Sequence, residues 1–381
     1  MFGFRHQRRP CVVSWPREGI AKSLSRWGWN SYFESLWRGT ERGTAVPARV
    51  IAQERGFWRV AGKFGECTAE AAGKLRLCAS AGVEWPAAGD WVAVVPRDAN
   101  TAATIQGVLP RRTCFVRKSP GKKMEEQVLA ANVDTAFLVS ALDGDFNPRR
   151  VERYLAQCRE SGAMPVILLN KADKCGDLPR KTAEIERIAG GAAICVASAK
   201  TGQGIEELEK FLVRGHTLVL LGSSGAGKST LANRLLGQTV QEVQPVREGD
   251  SRGRHTTSRR ELFVLPGGAL LMDTPGLREL QLWEAEDGVA QAFRDLDSMA
   301  AVCRFGDCQH RAEPGCAVQA ALREGSLDEG RLENYRKLLR EQEFLRRKMD
   351  PGARHEEKDR IKKLTREVRR ISRHKIRDSE K

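Results

Sequence analysis

Between Ala48 and Phe115 apolar and polar positions alternate in short runs, ARVIA, FWRVAG, KLRLCA, GDWVAVV and ATIQGVL, divided by Gly, Pro and Asn. Such period-two alternation predicts about five half-buried strands in about seventy residues, which suits a small all-β barrel of the OB type. Ahead of it, Trp27, Trp29, Phe33 and Trp37 fall on one face of a short helix, the mark of an arm docked on its own domain. The segment RKSPGKK at 117–123 is basic and turn-rich and reads as a linker or loop.

From Val133 the pattern changes. Continuous apolar runs, DTAFLVSA, PVILLNKAD, AAICVASAK, HTLVLLGSSG and ALLMDTPG, alternate with helical stretches. Runs of this kind belong to a parallel sheet covered by helices on both faces. After Trp283 the chain turns helical, and Ser326 with Glu329 predicts a capping box ahead of Leu332, Tyr335, Leu338 and Leu339. The end, 346–381, holds fifteen Lys or Arg against seven Asp or Glu. Ile361, Leu364, Val368 and Ile371 would line one side of a basic helix there, although a solvated tail fits the composition equally.

The expected layout is therefore multidomain: an arm at 1–43, an OB-like all-β barrel at 44–116, an α/β P-loop domain at 117–282, an α-rich zinc-binding unit at 283–345 and a basic tail at 346–381. The length of 381 residues allows this. A net charge of +15 favours a polyanionic partner. No run of about eighteen apolar residues occurs and the opening has no signal-peptide core, so a protein of the cytoplasm without a membrane partner is expected. Of ten cysteines, seven (Cys11, Cys67, Cys78, Cys114, Cys158, Cys175, Cys195) stand singly and read as reduced, buried thiols.

GSSGAGKS follows the strand TLVLL and precedes LANRLL, the strand, turn, helix setting a P-loop needs. Backbone N–H groups of Gly222, Ser223, Ser224, Gly225, Ala226 and Gly227 would curl around phosphates, with Lys228 reaching the β and γ phosphates. Ser229 would offer its hydroxyl to Mg2+, with Thr230 beside it. NKAD supplies Asn170, Lys171 and Asp173; a carboxylate at Asp173 can accept from both guanine N–H donors while the Lys171 stem lies along the ring. SAK supplies Ser198, Ala199 and Lys200, the Ala199 N–H being offered to the guanine oxygen. DTPG places Asp273 to hold Mg2+ through water and the Gly276 N–H to sense the γ phosphate. Each short motif alone reads as an ordinary turn or cap. Four of them at strand ends of one α/β domain do not.

Their order is rotated. A standard GTPase runs P-loop, DxxG, NKxD, SAK; this chain runs NKAD, SAK, P-loop, DTPG, which implies a circularly permuted domain with new ends before the NKAD strand and after DTPG. Leu277 stands where many GTPases keep a water-orienting Gln. His255 in GRHTT is the nearest replacement, and Thr256 or Thr257 would supply the switch ligand to Mg2+. A loop histidine reads equally as a polar surface residue.

Cys303, Cys308, His310 and Cys316 lie within fourteen residues, with Gly306 and Gly315 letting the chain wrap. Three Cys with one His is a closed structural set for one Zn2+; chance clustering of buried thiols is the alternative.

With these residues in view, the chain resembles the circularly permuted, ribosome small subunit-dependent GTPases of the RsgA (YjeQ) type from about Trp27 to the end of the Cys/His region. The resemblance implies a late 30S assembly factor that works with GTP/GDP, Mg2+ and zinc; a monomer is expected. It would grip 16S rRNA through barrel and zinc unit and be released on hydrolysis stimulated by the subunit. It also implies a catalytic role for His255, and the family's three threonines after that His are here Thr256, Thr257 and Ser258. A P-loop kinase would leave NKAD and SAK unexplained. A guanine-nucleotide-dependent RNA scaffold away from the ribosome is the alternative that the motifs leave open.

Overall fold

The computed structural model describes residues 24–39, 43–54, 56–78, 85–97, 102–118, 126–237, 260–273 and 286–349. Among the described residues a 3-10 turn (Ser25–Trp27) leads into α1 (Ser31–Arg38), whose first turn is capped by the Asn30 side chain accepting from the Tyr32 and Phe33 N–H groups at 3.1 and 3.4 Å. The cap turns Trp29, Phe33 and Trp37 to one side, where Trp29 meets Trp91 edge-on at 4.6 Å. The arm is docked on the barrel that follows, as its aromatic spacing predicts.

That barrel comprises β1 (Val46–Gln53), β2 (Trp58–Gly62), β3 (Gly65–Ala71), α2 (Gly73–Cys78), β4 (Trp91–Val95) and β5 (Ala103–Val108). Strand order 1-2-3-5-4 closes through the β1–β4 pairing, with β3 and β5 parallel. One expected strand is wrong: KLRLC forms α2, and the third strand is GECTAEA, just before it. Only Ala69 and Ala71 of β3 are buried, so its inward face is written in small residues that carry no strand signal. Arg117 and Lys118 of the basic connector end β6 (Cys114–Lys118), which pairs as a hairpin with β7 (Glu126–Ala131); the rest of the connector lies outside the described residues.

The central unit holds β8 (Thr135–Ala141), α3 (Pro148–Ser161), β9 (Met164–Asn170), α4 (Leu178–Ala189), β10 (Ala193–Val196), β11 (Thr217–Leu221), α5 (Lys228–Leu236), β12 (Arg260–Val264) and β13 (Leu270–Asp273). Its sheet order is 10-9-8-11-13-12, parallel except for β12. β8 is buried at every position, as strands covered on both faces are. The sheet does not stop at β12: Ala52 and Gln53 of β1 pair with Glu261 and Arg260, so barrel and central sheet form one eleven-stranded ladder. Arg59 of β2 adds a 2.8 Å contact to Glu261, and Arg260 donates to Gln53 at 2.9 Å and to the Val128 carbonyl at 3.1 Å.

The C-terminal unit contains α6 (Glu286–Ala292), α7 (Arg294–Ala300), α8 (Ala317–Arg323) and α9 (Glu329–Met349). The cap of α9 differs from expectation. Asp328 accepts from the Arg331 N–H at 2.9 Å, while the Ser326 hydroxyl donates back to Ala321 because the buried Leu327 draws the chain into a turn there. A buried ionic network fastens the unit to α3: Arg331 donates to Glu152 at 2.7 Å and to Asp295 at 2.6 and 2.8 Å, and Asn334 donates to Glu152 at 2.6 Å. Of the single cysteines with described side chains, Cys158 and Cys195 are buried; Cys67, Cys114 and Cys175 are only half-buried, which corrects that expectation. Cys11 and residues 350–381 lie outside the described residues, as does the side chain of Cys78.

Arg49 of β1 sits where arm, barrel and central sheet meet, 1% exposed. It donates to the Trp27 carbonyl at 3.3 Å, the Asn132 carbonyl at 3.2 Å and Thr217 Oγ1 at 3.0 Å, and lies over the Trp91 ring. Burial pushes its pKa down to about 9, opposed by the nearby Asp90 carboxylate. Gly28 reaches the same junction with φ 87°, and a Cβ there would stand 2.5 Å from the Gly215 carbonyl oxygen. Since a buried polar group left unpaired costs about 1–3 kcal/mol, Arg49→Ala is expected to lose about 4 kcal/mol in urea denaturation. Arg49→Lys should recover less than half of that, because a compact ammonium cannot reach three separated acceptors.

Candidate nucleotide site and Cys/His cluster

In an open parallel sheet the carboxyl ends of the strands lie along one edge, so loops leaving them share a crevice. Here β8 ends at Ala141, β9 at Asn170, β10 just before Ser198, β11 just before Gly222 and β13 at Asp273. Motifs far apart in the chain are brought together this way.

The P-loop turns on Gly222, Gly225 and Gly227 and enters α5 at Lys228. A Cβ on Gly222 would lie 2.4 Å from the Val139 carbonyl oxygen of the neighbouring strand, so the loop passes too close to β8 for a side chain. Lys228 is buried and its ammonium donates to the Gly222 carbonyl at 2.8 Å and to the Ser223 carbonyl. Ser229 and Thr230 occupy the first turn of α5, half-buried.

Asn170 binds the two halves of the site to each other. Its Nδ2 donates to the Ala226 carbonyl of the P-loop at 2.8 Å, and its Oδ1 accepts from the Ala199 N–H at 2.9 Å. Gly227, with φ 93°, must lack a side chain for this, since a Cβ would stand 2.2 Å from Asn170 Nδ2. The Ala199 N–H, expected for the guanine oxygen, is donated to Asn170 Oδ1 in this structure. Ser198, fully buried, donates its hydroxyl to Asp173 at 2.6 Å and accepts from the Thr201 N–H at 3.1 Å, which fixes the direction of an otherwise exposed carboxylate. Lys200 follows in the same turn, and its carbonyl and that of Ala199 accept from Arg234 of α5 at 2.9 and 2.7 Å.

Two contributors were not read from the sequence. Arg234 is one; nothing in LANRLL marks it. The other is the turn after β8, where Asp143 meets the Lys171 ammonium at 2.5 Å and Asp145 accepts from the Ser223 hydroxyl and from Arg150. Burial works to raise the Asp143 pKa, but Lys171 and the Asp145 N–H outweigh it and hold the carboxyl below its ordinary value. The run DGD reads only as a turn.

Asp273 ends β13, which runs parallel to β11 with Met272 beside Val219, so the residue stands at the strand end beside the strand that leads into the P-loop. The Ser229 hydroxyl and Asp273 carboxylate are hard oxygen donors of the kind Mg2+ takes. His255, Thr256, Thr257, Gly276 and Leu277 lie outside the described residues.

In the C-terminal unit, Cys303 Sγ lies 3.9 Å from Cys316 Sγ, and His310 Nδ1 lies 3.6 and 3.5 Å from these two sulfurs. With Cys308 the four donor atoms all fall within 4.8 Å of one another. A tetrahedral zinc site with its usual bond lengths has S–S edges of about 3.8 Å and S–N edges of about 3.6 Å, so the cluster fits that ion. The backbone is shaped for it: His310 takes φ 57°, and its carbonyl accepts from Gln319 at 2.6 Å and Arg336 at 2.5 Å.

Comparison with known proteins agrees with this geometry. A family model described as RsgA GTPase matches residues 108–283. One described as ABC transporter matches 206–372, a stretch with the P-loop but neither NKAD nor SAK. The chain is 48% identical to the small ribosomal subunit biogenesis GTPase RsgA of Opitutus terrae, over 90% of this chain and 96% of that one. It is also 48% identical to the protein of the same name from Syntrophotalea carbinolica, over 83% and 88%. Among solved structures it is similar to YjeQ from Thermotoga maritima, with TM-score 0.58 and 28% identity over 78% of this chain and 98% of that one. YloQ, described as a circularly permuted GTPase, matches in fold with TM-score 0.55.

Asn170→Ala would leave the Ala226 carbonyl and the Ala199 N–H without their partner. It is expected to cost about 2 kcal/mol in chemical denaturation, the scale of two net hydrogen bonds. Gly227→Ala should destabilise at least as much, through the clash with the same amide.

Proposed function

This chain belongs to the RsgA family of GTPases, and on that premise we propose that it couples GTP hydrolysis to late maturation of the 30S ribosomal subunit, binding 16S rRNA and leaving on hydrolysis. The observation that carries the reading is the rotated motif set gathered at one sheet edge, with Asn170 joining base-side and phosphate-side elements. Relatives named as small ribosomal subunit biogenesis GTPases, 48% identical over most of the chain, support the partner.

In this reading Asp173, aimed by Ser198, accepts from the guanine N–H donors, and the Lys171 stem lies along the ring. The guanine oxygen takes the Ala199 N–H in competition with Asn170 Oδ1. P-loop N–H groups and Lys228 hold the β and γ phosphates, while Ser229, Asp273 and Thr256 or Thr257 hold Mg2+. Bound there, Mg2+ neutralises charge that builds on the phosphate oxygens. Gly276 answers to the γ phosphate. His255 directs the attacking water, since the aliphatic Leu277 has no group to do so. The net charge of +15 and the OB-type barrel support RNA as the partner, held by phosphate contacts that weaken with salt. Cys303, Cys308, His310 and Cys316 hold one structural Zn2+. We place the protein in the cytoplasm as a monomer; among the described residues no helix is long and apolar enough to cross a membrane.

Phosphate release should occur from GTP and not ATP, and rise strongly when purified 30S subunits are added. His255→Ala should lower the stimulated rate about a hundredfold, the scale of a lost proton-handling or water-orienting group. Turnover indifferent to 30S subunits would sink the ribosomal assignment. Purified protein should carry one zinc equivalent by metal analysis, and Cys308→Ser should release it and lower the thermal stability of α8 and α9, because in a structural site metal binding contributes to folding.

A further inference from the structure

Two carboxylates outside the nucleotide motifs grip both sides of the site from a single turn. Asp143 Oδ2 meets Lys171 Nζ at 2.5 Å, and Asp143 Oδ1 accepts from the Asp145 N–H at 3.1 Å. Asp145 Oδ2 accepts from the Ser223 hydroxyl and, at 2.7 Å, from Arg150 of α3. One partner is thus a base-side residue, the other a phosphate-side residue.

We propose that Asp143 and Asp145 are positioning residues for guanine nucleotide, Asp143 acting through Lys171 and Asp145 through the P-loop residue Ser223. The proposal rests on the guanine-nucleotide reading of those two partners. Lys171 adopts φ 63°, a left-handed conformation rare for a residue with a side chain, and such residues persist where their surroundings over-determine them. A lysine without an anion samples many rotamers, and a base settling on its stem would have to freeze them. The Asp143 contact freezes them beforehand. On the other side, the Ser223 hydroxyl has one proton and gives it to Asp145, so Ser223 meets phosphate through its backbone N–H rather than its side chain. A lone carboxylate this close to a phosphate loop would repel its ligand; Arg150 pairs it. Because the Asp145 N–H is held by Asp143, the two grips shift together.

An ordinary half-exposed ion pair contributes little, and a double-mutant cycle separates that from positioning. GDP affinity in Mg2+ is measured by calorimetry for the wild type, Asp143→Asn, Lys171→Ala and their double, and for Asp145→Ala, Ser223→Ala and their double. Thermal unfolding without nucleotide is followed alongside. Each Asp variant is expected to weaken GDP binding about tenfold on its own and to add nothing once its partner is gone, with nucleotide-free melting unmoved. Should Asp143→Asn fail to fold, Asp143→Glu keeps the charge and is expected to bind GDP about threefold more weakly than wild type. Unchanged GDP affinity in the folded Asp variants, or losses that multiply fully in both doubles, would overturn the proposal. Wild-type protein that bound no GDP would instead overturn the guanine reading beneath it.

Discussion

A guanidinium sealed from water joins its own strand to three other stretches of chain. Arg49 belongs to the barrel, yet its three acceptors come from the arm, the segment after β7 and the first residue of β11. Burying that charge is unfavourable in itself and pushes its pKa down, and the three acceptors together with the Trp91 ring offset that cost. The placement of β11 is what the P-loop inherits. Arg331 plays the same part at the far side, where Glu152 of α3 and Asp295 of α7 close around it.

The nucleotide elements were legible because phosphate and guanine demand particular groups at particular spacings, and those demands leave marks in the chain. GSSGAGKS, NKAD, SAK and DTPG all fall at strand ends, apart from the portion of DTPG beyond Asp273, which is outside the described residues. Less legible were features whose chemistry arises only on folding. Nothing local distinguishes Arg49 from a surface arginine, and β3 hides because its buried positions are alanines. Asp143 and Asp145 read as turn residues until β8 sets them beside Lys171 and Ser223. The Ser326 cap failed for a related reason: Leu327 is buried, and the residue that accepts from the Arg331 N–H is Asp328.

Rotating the motif order costs this sheet little, because its neighbours are set by hydrogen bonding and burial rather than by the route the chain takes between strands. What the rotation changes is which edges receive additions. The barrel and its hairpin precede β8, while the Cys/His unit follows β13 and folds back onto α3, so the nucleotide crevice has a further unit attached at each end of its sheet's sequence.

The seam between β1 and β12 carries a consequence of another kind. β12 would be an edge strand in the central sheet by itself, with a row of unpaired N–H and C=O groups, and the barrel covers the end of it through Ala52 and Gln53. Excising the central unit as a minimal fragment would bare that edge, together with Arg260, whose acceptors on Gln53 and Val128 would be left behind. Such a fragment is a template for self-association, so barrel and nucleotide sheet are inseparable as working material even though their chain segments are distinct.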